Sequence, residues 1–161
     1  MRKLIPALAA AVLLVSACSQ HTLNTGKVEN SQPIFATMQM VQDTFRTGEK
    51  VALKFTVHNT ADTVQQFCKW HTPFEPLMSK YLDVTSTGGE EANYQGPMAK
   101  RVMPPPADSY VKVNPGDSLS VEVDVLKAYS ITTPAKYTVR YNSKDISGLT
   151  VKDSVEFVYA P

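Results

Sequence analysis

Residues 33–161 of this sequence predict an all-β fold, an antiparallel two-sheet sandwich of about seven to nine strands. Three observations predict it: segments that alternate apolar and polar residues with period two, turn residues that separate those segments, and the absence after residue 17 of any long stretch with helical period. Val51, Leu53, Phe55 and Val57 alternate with Ala52, Lys54, Thr56 and His58, the pattern of a half-buried strand. Arg46-Thr47-Gly48-Glu49 precedes this strand as a turn, and Asn59-Thr60-Ala61-Asp62 ends it. Leu119, Val121, Val123 and Val125 alternate with Ser118, Ser120, Glu122 and Asp124. Before them lies Asn114-Pro115-Gly116-Asp117, where proline pre-sets φ and glycine accepts a positive φ. Tyr137, Val139 and Tyr141 make a third alternation, with Thr138 and Arg140 facing out. Weaker signals place strands at Ile34–Val41, Val64–Trp70, Tyr81–Thr87, Tyr110–Val113 and Leu149–Tyr159.

Two residues point to an immunoglobulin-like sandwich. Trp70 ends the third strand, near where such domains bury a tryptophan between their sheets. Tyr137 follows Pro134-Ala135-Lys136 at the start of a late strand, the setting of a tyrosine corner. Both are expected to be core residues.

The N-terminus is of another kind. Arg2 and Lys3 are followed by an uncharged apolar run from Leu4 to Val15. A bilayer core needs roughly 20 helical residues, so this run is too short to span it and reads as the h-region of a signal peptide over residues 1–17. Val15-Ser16-Ala17-Cys18 resembles a lipobox, which implies acylation of Cys18 and cleavage before it. Two or three acyl chains make a durable anchor, where a single myristoyl chain binds only marginally. Ser19 is not the aspartate that retains lipoproteins in the inner membrane, so the outer membrane is the expected address. Residues 18–32 then form the lipidated N-terminus and a polar tether, which as a coil spans roughly 20 Å.

Composition narrows the function. Without Arg2 and Lys3 the 16 basic residues become 14, against 15 acidic ones, and no basic block is present. Nucleic acid is therefore not an expected partner. With Cys18 acylated, Cys68 is the only thiol left, so no internal disulfide is expected. His21, His58 and His71 have no partner at zinc-ligand spacing, no Gly-x-Ser-x-Gly elbow occurs, and glycine-rich phosphate loops are absent. Cys68 and His71 would face opposite sides of a strand, which leaves Cys68 as a small buried hydrophobe. No catalytic residue, resident metal or cofactor is expected. Copper(I) binding by Met38, Met40, Met78, Met98, Met103, Cys68 and His71 is a minor alternative, because soft ligands suit that ion but these are scattered.

The run Phe67-Cys68-Lys69-Trp70-His71-Thr72-Pro73-Phe74-Glu75 is followed by Tyr94-Gln95-Gly96-Pro97-Met98-Ala99-Lys100-Arg101, then by Tyr110-Val111, Ala128-Tyr129 and Tyr137–Tyr141. This order resembles the non-catalytic N-terminal β-domain of bacterial deuterolysin-type (aspzincin) lysine-specific metallo-endopeptidases. The Lys-Trp-x-Thr-Pro and Tyr-x-Gly-Pro-x-x-Lys-Arg pieces carry most of the resemblance. The peptidase half of that family, with its His-Glu-x-x-His, has no counterpart in the sequence, so the resemblance implies a module that works by packing against something.

The expected function is thus a non-enzymatic envelope lipoprotein that binds protein, as an inhibitor of, or assistant to, a secreted or periplasmic peptidase. The alternative is a structural envelope lipoprotein without a dedicated ligand. The expected working surface is the stretch Asn93–Ser109, long for a sandwich connection and rich in proline. Met98 and Met103 would supply adaptable apolar contacts, and Lys100 and Arg101 would meet carboxylates of the partner. One test reaches the anchor directly. Cys18→Ser is expected to abolish incorporation of an alkyne fatty acid and to release the domain or leave an uncut precursor; unchanged labelling would refute acylation at Cys18.

Overall fold

The computed structural model describes residues 32–161; the expected signal peptide, Cys18 and the tether up to residue 31 lie outside the described residues. The strands are β1 (Ile34–Met40), β2 (Thr44–Arg46), β3 (Ala52–Asn59), β4 (Gln65–Cys68), β5 (Leu82–Ser86), β6 (Asn93–Tyr94), β7 (Tyr110–Val113), β8 (Ser118–Asp124), β9 (Tyr129–Ser130), β10 (Ala135–Tyr141) and β11 (Val155–Ala160). A single turn of helix, α1 (Lys144–Ser147), lies between β10 and β11.

One sheet runs β1-β3-β8 and the other β2-β11-β10-β5, with β4-β7 and β6-β9 as two-stranded additions. In the first sheet Phe55 pairs with Met38 on one side and Val121 on the other. In the second, Val139 pairs with Val155 and Val84. The predicted period-two rows therefore line up across each sheet. Leu53, Leu82, Val84, Val139 and Phe157 pack into one buried cluster. Ala36, Phe55, Val57, Phe67, Val113 and Leu149 pack into a second. The fold is the expected all-β sandwich, and it departs from the sequence reading in three places.

First, the sheets are not wholly antiparallel. After β1 the chain crosses to the other sheet, where β2 pairs parallel with β11, Phe45 opposite Tyr159. β2 has three residues and a single buried side chain, Phe45, too short a run for periodicity to reveal. Second, Leu149–Tyr159 is not one strand. Gly148 ends α1 with φ +78°, the left-handed cap that glycine adopts without Cβ strain. Leu149 then drops into the second cluster, Val151 makes a lone bridge to Ala36, and the strand begins only at Val155. Third, Trp70 does not lie between the sheets. β4 stops at Cys68, and Trp70 sits in the following turn, buried but outside both clusters. Tyr137 does as expected: its hydroxyl donates to the Thr133 carbonyl four residues upstream, at 2.8 Å.

One polar side chain ties the turns of the sandwich together. Asn59 ends β3 with 2% of its surface exposed. Its amide nitrogen lies 2.9 Å from the Thr63 carbonyl and 3.0 Å from those of Val113 and Asn114. Its amide oxygen accepts the Ala61 N–H at 2.9 Å. Truncation would strand the buried Val113 carbonyl, worth about 1–3 kcal/mol when left unsatisfied, and three part-buried bonds with it. Asn59→Ala is therefore expected to lower unfolding free energy by about 2–4 kcal/mol in urea titration; a loss under about 0.5 kcal/mol, the range of ordinary surface changes, would show that the network is dispensable.

Candidate functional site

The expected working stretch is partly structured. Asn93–Tyr94 form β6 against β9, and residues 107–109 make a 3₁₀ turn, which leaves residues 95–106 as the irregular segment. What fixes this segment is the turn that follows β4. There the Lys69 N–H donates to the Ser109 carbonyl at 2.8 Å. The Thr72 hydroxyl donates to the Lys69 carbonyl at 2.7 Å and accepts the Phe74 N–H at 3.1 Å, folding the chain tightly around a fully buried threonine. His71 between them has φ +57°, a left-handed conformation that crowds Cβ in a non-glycine residue. Its backbone is held on both sides: the N–H donates to Glu75 Oε1 at 2.9 Å, and the carbonyl accepts the Tyr141 hydroxyl at 2.9 Å.

Glu75 is the joint between the two segments. Its side chain is 6% exposed, and Arg101 Nη2 donates to Oε1 at 2.8 Å and to Oε2 at 2.6 Å. The Arg101 guanidinium carbon lies 4.7 Å from the centroid of the Trp70 ring, within cation–π range. The Trp70 ring thus has an arginine over it, where the sequence reading placed it between two sheets. Further along, the Tyr94 ring packs edge-on against Tyr129 at 5.2 Å, and its hydroxyl donates to the Pro97 carbonyl at 2.8 Å. The chain at Gly96 passes so close to this ring that a Cβ would meet the Tyr94 oxygen at 2.5 Å, which is why the Tyr-x-Gly-Pro piece needs its glycine. The Ala99 N–H donates to the Met78 carbonyl at 2.8 Å.

Of the four predicted partner-contact residues, the structure leaves three outward. Met98 and Met103 are 71% and 61% exposed, with Val102 at 78%, and Lys100 is exposed. Arg101 is not available as a free contact; it is turned inward and engaged by Glu75 and Trp70. Glu75 and Trp70 were not identifiable as parts of this site from sequence, since Glu75 and Arg101 are 26 positions apart and share no local pattern.

Cys68 is buried, and that burial pushes its thiol above the ordinary value, against a smaller pull from the Trp70 amide. His71 lies in the turn, not on the opposite face of a strand, and burial pushes its imidazole below the ordinary value, partly opposed by Glu75. Met40 belongs to the first cluster and Met38 packs against both, whereas Met98 and Met103 are exposed. Among the described residues no group of three or more His, Cys, Asp or Glu is placed to hold a metal ion. An open groove of about 580 Å³ over β5 and β10 is lined by Lys80, Asp83, Glu91, Thr138 and Arg140, and Lys80 already bridges Asp83 and Glu91.

Fold and site together define an immunoglobulin-like sandwich that carries a braced, outward-facing segment. The chain belongs to the family of immunoglobulin-like domains, whose model matches residues 22–144. It is 28% identical over 96 residues to an "Extracellular protease" of Aeromonas hydrophila, a match covering 58% of this chain and 26% of that protein. The match thus spans about a quarter of that relative's length. Among solved structures, Pseudomonas fluorescens alkylpurine DNA glycosylase AlkC bound to DNA containing an abasic site analog aligns at 13% identity and TM-score 0.38, covering 80% of this chain and 31% of that one.

The brace separates the two basic neighbours energetically. Breaking a buried ion pair by removing one partner costs about 3–5 kcal/mol, and Arg101 is 23% exposed, which moderates that figure. Arg101→Ala is expected to cost about 2–4 kcal/mol in urea unfolding, and Lys100→Ala less than about 0.5 kcal/mol. Equal losses for the two variants would show that the pair does not brace the segment.

Proposed function

We propose that this chain is a lipid-anchored envelope protein whose sandwich is a non-catalytic accessory module, binding a secreted or periplasmic peptidase in order to restrain or assist it. The observation that carries the reading is the exposure of Met98, Val102 and Met103 on a segment fixed from behind by the Glu75–Arg101–Trp70 brace. Exposed apolar side chains gathered on one short segment mark an interaction surface, whereas singly scattered ones do not. A segment held in one conformation loses less entropy on docking than a free loop, so its contacts convert more fully into affinity.

The partner class is supported by the similarity to part of an extracellular protease and by the resemblance to a β-domain that precedes a deuterolysin-type catalytic half. A module of that kind, anchored at Cys18 to the outer membrane, acts in trans on a peptidase made as a separate chain. The charge balance and the absence of a metal-binding His pair favour this role over nucleic-acid binding or hydrolysis.

The full chain, purified in mild detergent and immobilised, is expected to retain peptidase activity from secreted and periplasmic fractions of its own bacterium. The purified chain alone is expected to leave casein intact with or without added zinc. Fractions that pass with no more peptidase retained than on blank resin would refute the partner class.

A further inference from the structure

Exposure alternates over the five residues Met98–Val102 of the braced segment, with exposed residues, Pro97 and Met103, on either side. Met98, Lys100 and Val102 are exposed, while Ala99 and Arg101 between them are half-buried. A period of two is the spacing of extended chain, which sends successive side chains to opposite sides. The inward residues are the anchored ones: Ala99 through its N–H to the Met78 carbonyl, Arg101 through Glu75 and Trp70. Among the described residues no other backbone amide from Met98 to Met103 has a protein acceptor. Lys100 is therefore flanked on both sides by fixed residues and is itself unpaired, with no ion pair among the described residues. Arg101 carries the same charge but is engaged.

We infer that residues 98–102 are a preformed, substrate-like strand, and that Lys100 enters a carboxylate-lined specificity pocket in the extended-peptide cleft of an endopeptidase. This rests on the peptidase-binding reading above and narrows it to one residue and one kind of pocket. Clefts that take extended peptides bind the backbone through main-chain hydrogen bonds and read alternate side chains in pockets. The free amides and the outward row of Met98, Lys100 and Val102 offer both. An apolar side chain on each side of the lysine suits the walls flanking an acidic pocket. The charge complementarity selects the occupant: a cleft with an apolar specificity slot would have to desolvate the Lys100 ammonium without a partner, which is strongly unfavourable.

Trypsin, whose specificity pocket ends in a carboxylate, and chymotrypsin, whose slot is hydrophobic, serve as probes. The full chain in detergent is expected to inhibit trypsin competitively against a small chromogenic lysine substrate and to leave chymotrypsin unaffected. Lys100→Ala is expected to weaken trypsin inhibition by about tenfold or more, the loss typical of a central anchor residue, and Lys100→Arg to retain it. Lys100 is exposed, so the variants are expected to keep the wild-type circular dichroism and unfolding curve. No inhibition of trypsin by wild type, or equal inhibition by wild type and Lys100→Ala, overturns the inference. If both chains still retain peptidase activity on the immobilised column, the peptidase-binding reading stands without it. If neither does, both fall.

Discussion

A carboxylate that is almost wholly buried must have its charge answered, and in this structure the answer to Glu75 holds two distant pieces of chain together. Arg101 Nη2 meets both of its oxygens, and the His71 backbone amide meets one of them. Through these contacts the turn after β4 is locked to the segment before β7. Buried ion pairs are weak sources of net stability, because desolvation offsets most of the attraction. What they impose is geometry, since any arrangement that separates the partners leaves a charge unanswered in an apolar place. The strained φ of His71 is held from two sides: its N–H is committed to Glu75, which the brace fixes, and its carbonyl to the Tyr141 hydroxyl of β10.

This constraint does for the segment what a covalent staple would do. Cys68 is a free, buried thiol, and no disulfide joins the described residues. The segment carries Pro97, Pro104, Pro105 and Pro106, which limit its backbone freedom before folding, and the brace fixes what remains. Tyr94 adds a third point of attachment at the Pro97 carbonyl. Stiffness from sequence and stiffness from tertiary contact therefore act on the same dozen residues, and those residues display the most exposed large apolar side chains in the described domain, Met98, Val102 and Met103.

Strands with a strong period of two were legible because burial on one face leaves a mark at every second residue. β3, β8 and β10 are of this kind, and β7 matches its expected bounds, Tyr110–Val113. β2 was not legible, since three residues with one buried ring leave no period, and its parallel pairing with β11 is decided by where the chain crosses between sheets. The site divides the same way. Proline density and loop length marked the segment, and the apolar residues on it face outward as expected. The inward turn of Arg101 was hidden, because it depends on a glutamate 26 positions away. In the sequence, Lys100-Arg101 is a basic pair; in the fold, one member builds the surface and the other is displayed on it.

The brace also clarifies what the resemblance to a peptidase-associated domain transfers. Trp70 and Glu75 lie in or beside the Lys-Trp-x-Thr-Pro piece, and Tyr94, Gly96, Pro97 and Arg101 lie in the Tyr-x-Gly-Pro-x-x-Lys-Arg piece. Folding brings the two together: Arg101 stacks on Trp70 and pairs with Glu75, Thr72 closes the turn, and Gly96 lies against the ring of Tyr94. Most residues of the two pieces with a named contact are therefore ones that hold the segment in shape. Met98 falls at a position that the motif leaves open, and Val102 and Met103 fall beyond its end. These exposed side chains point away from the contacts that hold the segment, so they can vary without disturbing it.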